Sequence, residues 1–273
     1  MTTTLLKHEW LRTRGTLGML FGILALVVIL GALLAATGWP LLSELGVLLA
    51  MLGLFVLVPA TQLLLTADYW RSGYGHTGYF THSIPARGAT IFRAKLAWAI
   101  IASFAALVLT VVLGLAAWWA VSLQGQINTP SLTELGGFWS TIREVAPVWM
   151  IVVGAVLMVA SFLIWPIYYY FAVSVGHESR FAGMGPAGPV VVFVVLYICI
   201  QVASFIGMVV IPFGVGMDGD TVGVVSFHVL GEMAAGATDG EVMPLGFLVP
   251  MGLLLAFCAW RTARSWNRKV ALA

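Results

Sequence analysis

The chain has 273 residues, of which 61% are hydrophobic and only 9% are Asp, Glu, Lys or Arg. Soluble domains carry roughly 25% charged residues, so this chain could not cover its own surface in water. A soluble enzyme, a disordered tail, a collagen-like fibre and a nucleic-acid binder are excluded. The net charge of +2 says less than the placement of the charges.

A helix crosses the ~30 Å hydrocarbon core with about 20 apolar residues. Six stretches qualify, at about 17–37, 45–67, 96–123, 147–175, 188–211 and 242–260. The expected fold class is all-α: a polytopic membrane protein whose residues 1–273 form one six-span domain. The first run is too long for the apolar core of a signal peptide and no small-residue cleavage site follows it, so it reads as a retained anchor. Cys199 and Cys258 lie in apolar runs and read as small core hydrophobes.

Basic residues set orientation, because cytoplasmic segments are enriched in Lys and Arg. With six spans, every Lys and Arg except Arg143 falls on one side. Glu44, Glu134, Glu144, Asp218, Asp220, Glu232, Asp239 and Glu241 fall on the other. The expectation is that both termini are cytoplasmic.

At the start, LLKHEWLRTR (5–14) pairs Leu5, Leu6 and Trp10 with Lys7, Arg12 and Arg14. This predicts an amphipathic helix lying along the inner leaflet, with Trp10, Arg12 and Arg14 as its interfacial anchors. The 68–95 loop is dense in aromatics, and Pro85 suits the first turn of a helix that continues through Lys95. Ser131-Leu132-Thr133-Glu134 is a capping box, and the apolar spacing after it predicts a short amphipathic helix over 132–145. The 211–243 segment is Gly-rich and acidic, and reads either as a re-entrant piece or as an ordinary external loop.

Chemistry-bearing motifs are lacking. There is no G-x-x-x-x-G-K-[ST], H-E-x-x-H or G-x-S-x-G, and the paired carboxylates of an intramembrane aspartyl protease are missing. No catalytic residue and no metal ligand is expected. The spans carry no Asp, Glu, Lys or Arg at mid-depth, whereas ion-driven transporters keep such groups there. Gln62, Tyr169 and Gln201 are the candidate polar positions along a substrate path. Pro166 should kink the fourth span, and Gly18-x-x-x-Gly22 offers a close helix contact in the first.

Three features together resemble the permease subunits of bacterial ABC transporters of the second exporter type. They are the basic KHEWLRTRG before the first span, the cytoplasmic GYFTHSIPARGATIFRAKL with Ser83, Ile84, Pro85, Arg87 and Lys95, and the six-span plan. The resemblance implies a transporter subunit in the bacterial cytoplasmic membrane, without enzymatic activity of its own. It would export a hydrophobic or amphiphilic substrate (a drug, peptide or lipid). Two copies of a separate ATPase would supply ATP and Mg, so no cofactor is expected on this chain. A second permease, identical or paralogous, would complete the pore among membrane lipids, with no role for nucleic acid. Gly75, His76, Thr77, Gly78, Tyr79, Phe80, Thr81 and His82, with Ser83, Pro85 and Arg87, would couple the permease to the ATPase. Where the family often carries an acidic residue, this loop has Gly75, His76, Thr77 and Gly78. An ATP-independent channel or scaffold subunit, or a lipid-modifying membrane enzyme using the external acids, are the rival readings.

Overall fold

The computed structural model describes residues 2–75, 78–83, 86–122, 132–178, 182–185, 187–219, 221–235 and 242–268. Helices dominate: α1 (Thr2–Ala35), α2 (Pro40–Gly73), α3 (Gly78–His82), α4 (Gly88–Ser122), α5 (Leu132–Val145), α6 (Val148–Leu163), α7 (Trp165–Gly176), α8 (Ala187–Val210), α9 (Val229–Ala235) and α10 (Leu248–Arg268). Five helical stretches are long and apolar enough to cross a membrane: α1, α2, α4, α6 continued by α7, and α8. Multi-pass membrane insertion follows from them.

The amphipathic segment expected to lie in the leaflet plane is not a separate element. Residues 5–14 are the first turns of α1, which runs on without a break. The reason is local packing: Trp10 meets the Trp98 ring edge-on at 5.4 Å, and Trp98 Nε1 donates to Thr13 Oγ1 at 2.9 Å. These contacts hold the segment upright against α4.

Alpha1 turns into α2 through Gly38, whose φ of +73° only glycine adopts without strain. Pro40 then opens α2 at its first turn. The two helices approach backbone to backbone. A Cβ on Gly46 would lie 2.3 Å from Ala35 N, and one on Gly31 would lie 2.6 Å from Ala50 N. Gly31 and Ala35 thus face Gly46 and Ala50, the small-residue seam by which helices associate where lipid removes the hydrophobic drive, and Gly53 makes room for Val28 one turn further on. The glycine pair singled out in the sequence takes no part, since Gly18 and Gly22 both face open space.

Alpha6 and α7 are separated at Ile164, and Pro166 is the cause. A proline lacks the N–H that would bond the carbonyl four residues earlier, Phe162 O. Gln62 Nε2 of α2 supplies the missing donor at 2.7 Å.

The fold class needs one correction: the protein is mostly helical but not all-α. A small antiparallel sheet of order β2-β1-β3 is built from β1 (Phe213–Asp218), β2 (Thr221–Ser226) and β3 (Met243–Pro244). Asp218 pairs with Thr221, and Gly219 after β1 has φ +67°. Asp-Gly between strand-forming valines is a hairpin signal, so β1 and β2 are paired strands in place of an irregular loop. The helix expected over 132–145 is present as α5.

The 242–260 run also differs. Its first residues enter β3, and the helix is α10, shifted toward the C-terminus by the strand pairing of Met243 with Val215. Alpha10 packs along the bundle: Gly246 and Pro250 close on Gly207 of α8, and Cys258 and Leu254 join a core with Tyr168 and Leu196. It carries Arg261 and Arg264, so it falls outside the set of five apolar helices.

Candidate functional site

The start of α1, the end of α2, α3, the start of α4, the end of α7 and the end of α10 meet at one end of the bundle, called here the basic end. Its polar centre is built on Lys95. That side chain is 2% exposed, yet charged groups survive burial only when paired. Lys95 Nζ donates to Glu9 Oε1 at 2.9 Å and to Ser72 Oγ at 2.9 Å. Arg12 bridges Glu9 and Asp68. Four charges from α1, α2 and α4 thus form one alternating cluster.

A second network ties α7 to α10. Arg261 Nη2 donates to Glu178 Oε2 at 2.7 Å, and Ser265 Oγ donates to Glu178 Oε1 at 2.9 Å. Asn267 Oδ1 accepts from Ala89 N–H at 3.0 Å, capping the first turn of α4.

Aromatic rings fill the space between. Tyr69 stacks on Tyr170 at 3.9 Å. Trp266 Nε1 donates to Tyr69 Oη at 2.5 Å, and Tyr69 Oη shares a second hydrogen bond with Ser174 Oγ at 2.6 Å. Trp70 Nε1 donates to His177 Nε2 at 2.8 Å, while His177 Nδ1 lies 2.9 Å from Val173 O. The neutral tautomer protonated at Nδ1 satisfies both contacts. Tyr74 stacks on His177 at 5.1 Å, and its buried hydroxyl has no hydrogen-bond partner among the described residues. Burial pushes that phenol up to about 12.

The expected coupling segment sits on this assembly. Alpha3 folds back under α2, where Gly78 is buried and Thr81 Oγ1 donates to Ser72 O at 2.7 Å. Ser72 therefore touches both α3 and Lys95. Tyr79 is 56% exposed, and Ser83 and Arg87 are exposed too. Gly75 is half-buried, in the turn that ends α2. His76, Thr77, Ile84 and Pro85 lie outside the described residues, as do the side chains of Phe80 and His82.

The interfacial trio divides. Trp10 is half-exposed beside Trp98, Arg12 is drawn into the charge cluster, and Arg14 is exposed. The substrate-path candidates do not converge. Gln62 is buried on Phe162 O, Tyr169 lies between Trp165 and Phe193, and Gln201 is exposed, reaching Tyr197 Oη at 3.4 Å. No hydrogen bond or ring contact joins any two of them among the described residues.

Sequence reasoning passed over Glu9, Asp68, Glu178 and Trp266. A signal for the acids was present: they are the three carboxylates that break the charge partition by lying on the basic side. All three are ion-paired in the fold.

Compared with known protein families, characterised proteins and solved structures, the chain finds no match.

Proposed function

We propose that the protein is the permease subunit of an ATP-driven exporter, moved by a separate ATPase that docks on α3 at the basic end. The observation that carries this reading is α3 itself: a short helix that offers Tyr79 outward while Thr81 ties it through Ser72 to the Lys95 cluster. A push on α3 would reach α1, α2 and α4 together through those bonds. Two further points support the reading. The chain has no P-loop of its own, and the apolar spans offer no mid-depth carboxylate for ion coupling.

In this reading α10 is the sixth crossing, both termini and the basic end are cytoplasmic, and the membrane is a bacterial plasma membrane. The positive-inside bias argues for that orientation. The cargo is a hydrophobic or amphiphilic molecule, and a second permease, identical or related, completes the path.

The test is isolation from native membranes in mild detergent with identification of the co-purifying chains. An ATP-hydrolysing subunit is expected. Tyr79→Ala should lower its recovery about tenfold, the loss of one aromatic anchor at an interface centre, while the permease still inserts. A complete transport cycle in vesicles holding this chain alone would overturn the reading and favour an ATP-independent channel.

A further inference from the structure

Beside the coupling surface, α4 and α10 flank an open cavity of about 400 Å³ lined by Ala89, Arg93, Trp260, Ala263, Arg264 and Asn267. Its charge is one-sided. Arg93 and Arg264 both open onto it, and among the described residues no carboxylate lines it and neither arginine has an ion pair. Arg12, Lys95 and Arg261 at the same end each hold an acid, so these two are a local excess of cation. Two guanidinium groups sharing a cavity repel unless an anion lies between them. The Arg264 guanidinium is steadied 5.5 Å over the Trp260 ring.

The walls say which anion. Along α10, Val249, Leu253, Phe257, Trp260 and Arg264 recur at helical spacing, and all are exposed. Along α4, Arg93, Ala97, Ile101, Phe104 and Val108 repeat the same spacing, with Ile101, Phe104 and Val108 exposed. The helices run antiparallel, so each apolar stripe rises from its arginine away from the basic end. A basic mouth above two acyl-length apolar stripes fits an amphiphile with a charged head. Two arginines and no carboxylate among the described lining residues favour an anionic headgroup over a zwitterionic one, whose ammonium both guanidinium groups would repel.

We infer that this cavity seats the headgroup of an anionic phospholipid, its phosphodiester between Arg93 and Arg264 and its acyl chains along α4 and α10. Basic pockets between spans are a recurring form of lipid recognition. The inference rests on the placement of α10 in the bilayer, which belongs to the reading above, and is independent of any ATPase.

The experiment titrates the delipidated full chain in detergent with phosphatidylglycerol and with phosphatidylcholine of matched chains, counting bound lipid by native mass spectrometry. Phosphatidylglycerol should bind about tenfold tighter or more, given about 1 kcal/mol per basic contact. Arg93→Gln with Arg264→Gln should abolish the preference, and Arg14→Gln should keep it. Equal binding of the two lipids by the unaltered chain would overturn the inference, whatever the variants do. So would a retained preference in the doubly substituted protein, or displacement of the lipid by millimolar inorganic phosphate, which would make the cavity a free-anion site. Leu253→Cys, with Cys199→Ser and Cys258→Ala, separates the two ideas. Full reaction with a water-soluble maleimide in membranes would put α10 outside the bilayer and sink the sixth crossing. Protection at that position without lipid preference would sink the headgroup site alone.

Discussion

The α1–α2 seam and the basic end hold the same helices together by opposite means. At the seam, Gly31 and Gly46 bring two backbones into contact, with Ser43 Oγ donating to Ala35 O at 3.1 Å beside them. At the basic end, buried Lys95 pairs with Glu9, and the more exposed Arg12 joins Glu9 to Asp68. The seam depends on shape and gains mainly dispersion, since lipid is as apolar as the helix. The basic end depends on pairing: its buried charges each hold a counter-charge, and removing one strands the other. The two regions should therefore fail differently under mutation.

The largest effect is expected at the basic end. Glu9→Gln leaves Lys95 buried without its nearest counter-charge and should cost about 3–5 kcal/mol, read as a fall in the melting midpoint of the detergent-solubilised protein. Lys95→Met should cost less, because Glu9 keeps Arg12. Equal losses would mean that the cluster does not depend on that ion pair.

At the seam, Gly46→Ala adds a methyl where Ala35 N stands 2.3 Å away. Forced backbone separation of this kind should cost about 3 kcal/mol. Gly18→Ala, facing open space, should change the midpoint little or raise it slightly, since Ala is the better helix former by up to about 1 kcal/mol. A matching loss at Gly18 would show that its face is covered in the membrane and would redraw the comparison.

Between the two lies Gln62, a polar group used to repair a helix. Gln62→Leu strands Phe162 O and should cost about 1–3 kcal/mol. Pro166→Ala restores the backbone donor, so in that background Gln62→Leu should cost much less. Additive losses in the double variant would break the account of Gln62 as the proline's compensator.

The smallest effect belongs to Tyr74. Its hydroxyl is buried without a partner, so Tyr74→Phe should be neutral or stabilising by up to about 1 kcal/mol. The sign of the pH effect follows from its pKa, raised to about 12 from an ordinary value of 10.0. The contribution is intact below pH 10 and is lost as the pH rises from 10 toward 12, because the unfolded chain ionises first. Tyr74→Phe should flatten that part of the alkaline decline, and an unchanged slope would place the ionisation elsewhere.

Much of the site was legible in the sequence, though not as a site. Local spacing foretold α5 over 132–145 and placed the aromatic loop beside the basic residues. It pointed to the wrong glycines, because G-x-x-x-G marks a face that is able to approach a neighbour without saying which face has one. It also missed the hairpin, where Asp218-Gly219 was read for its charge and not as a turn. Gln62 seemed a substrate-path group because its partner, an orphaned carbonyl 100 residues along the chain, has no trace in local pattern.

Composition alone settled that this protein lives in a membrane. A chain with so little charge has no other solvent, and the apolar runs follow from the thickness of hydrocarbon. Only the tertiary structure decided which polar groups are satisfied and by what. Burial of Lys95, capping of α4 by Asn267, relief of Phe162 by Gln62 and the two unpaired arginines at one cavity each depend on residues far apart in sequence. Such pairings are fixed by how whole helices pack, since a buried donor takes whatever acceptor the fold brings within reach.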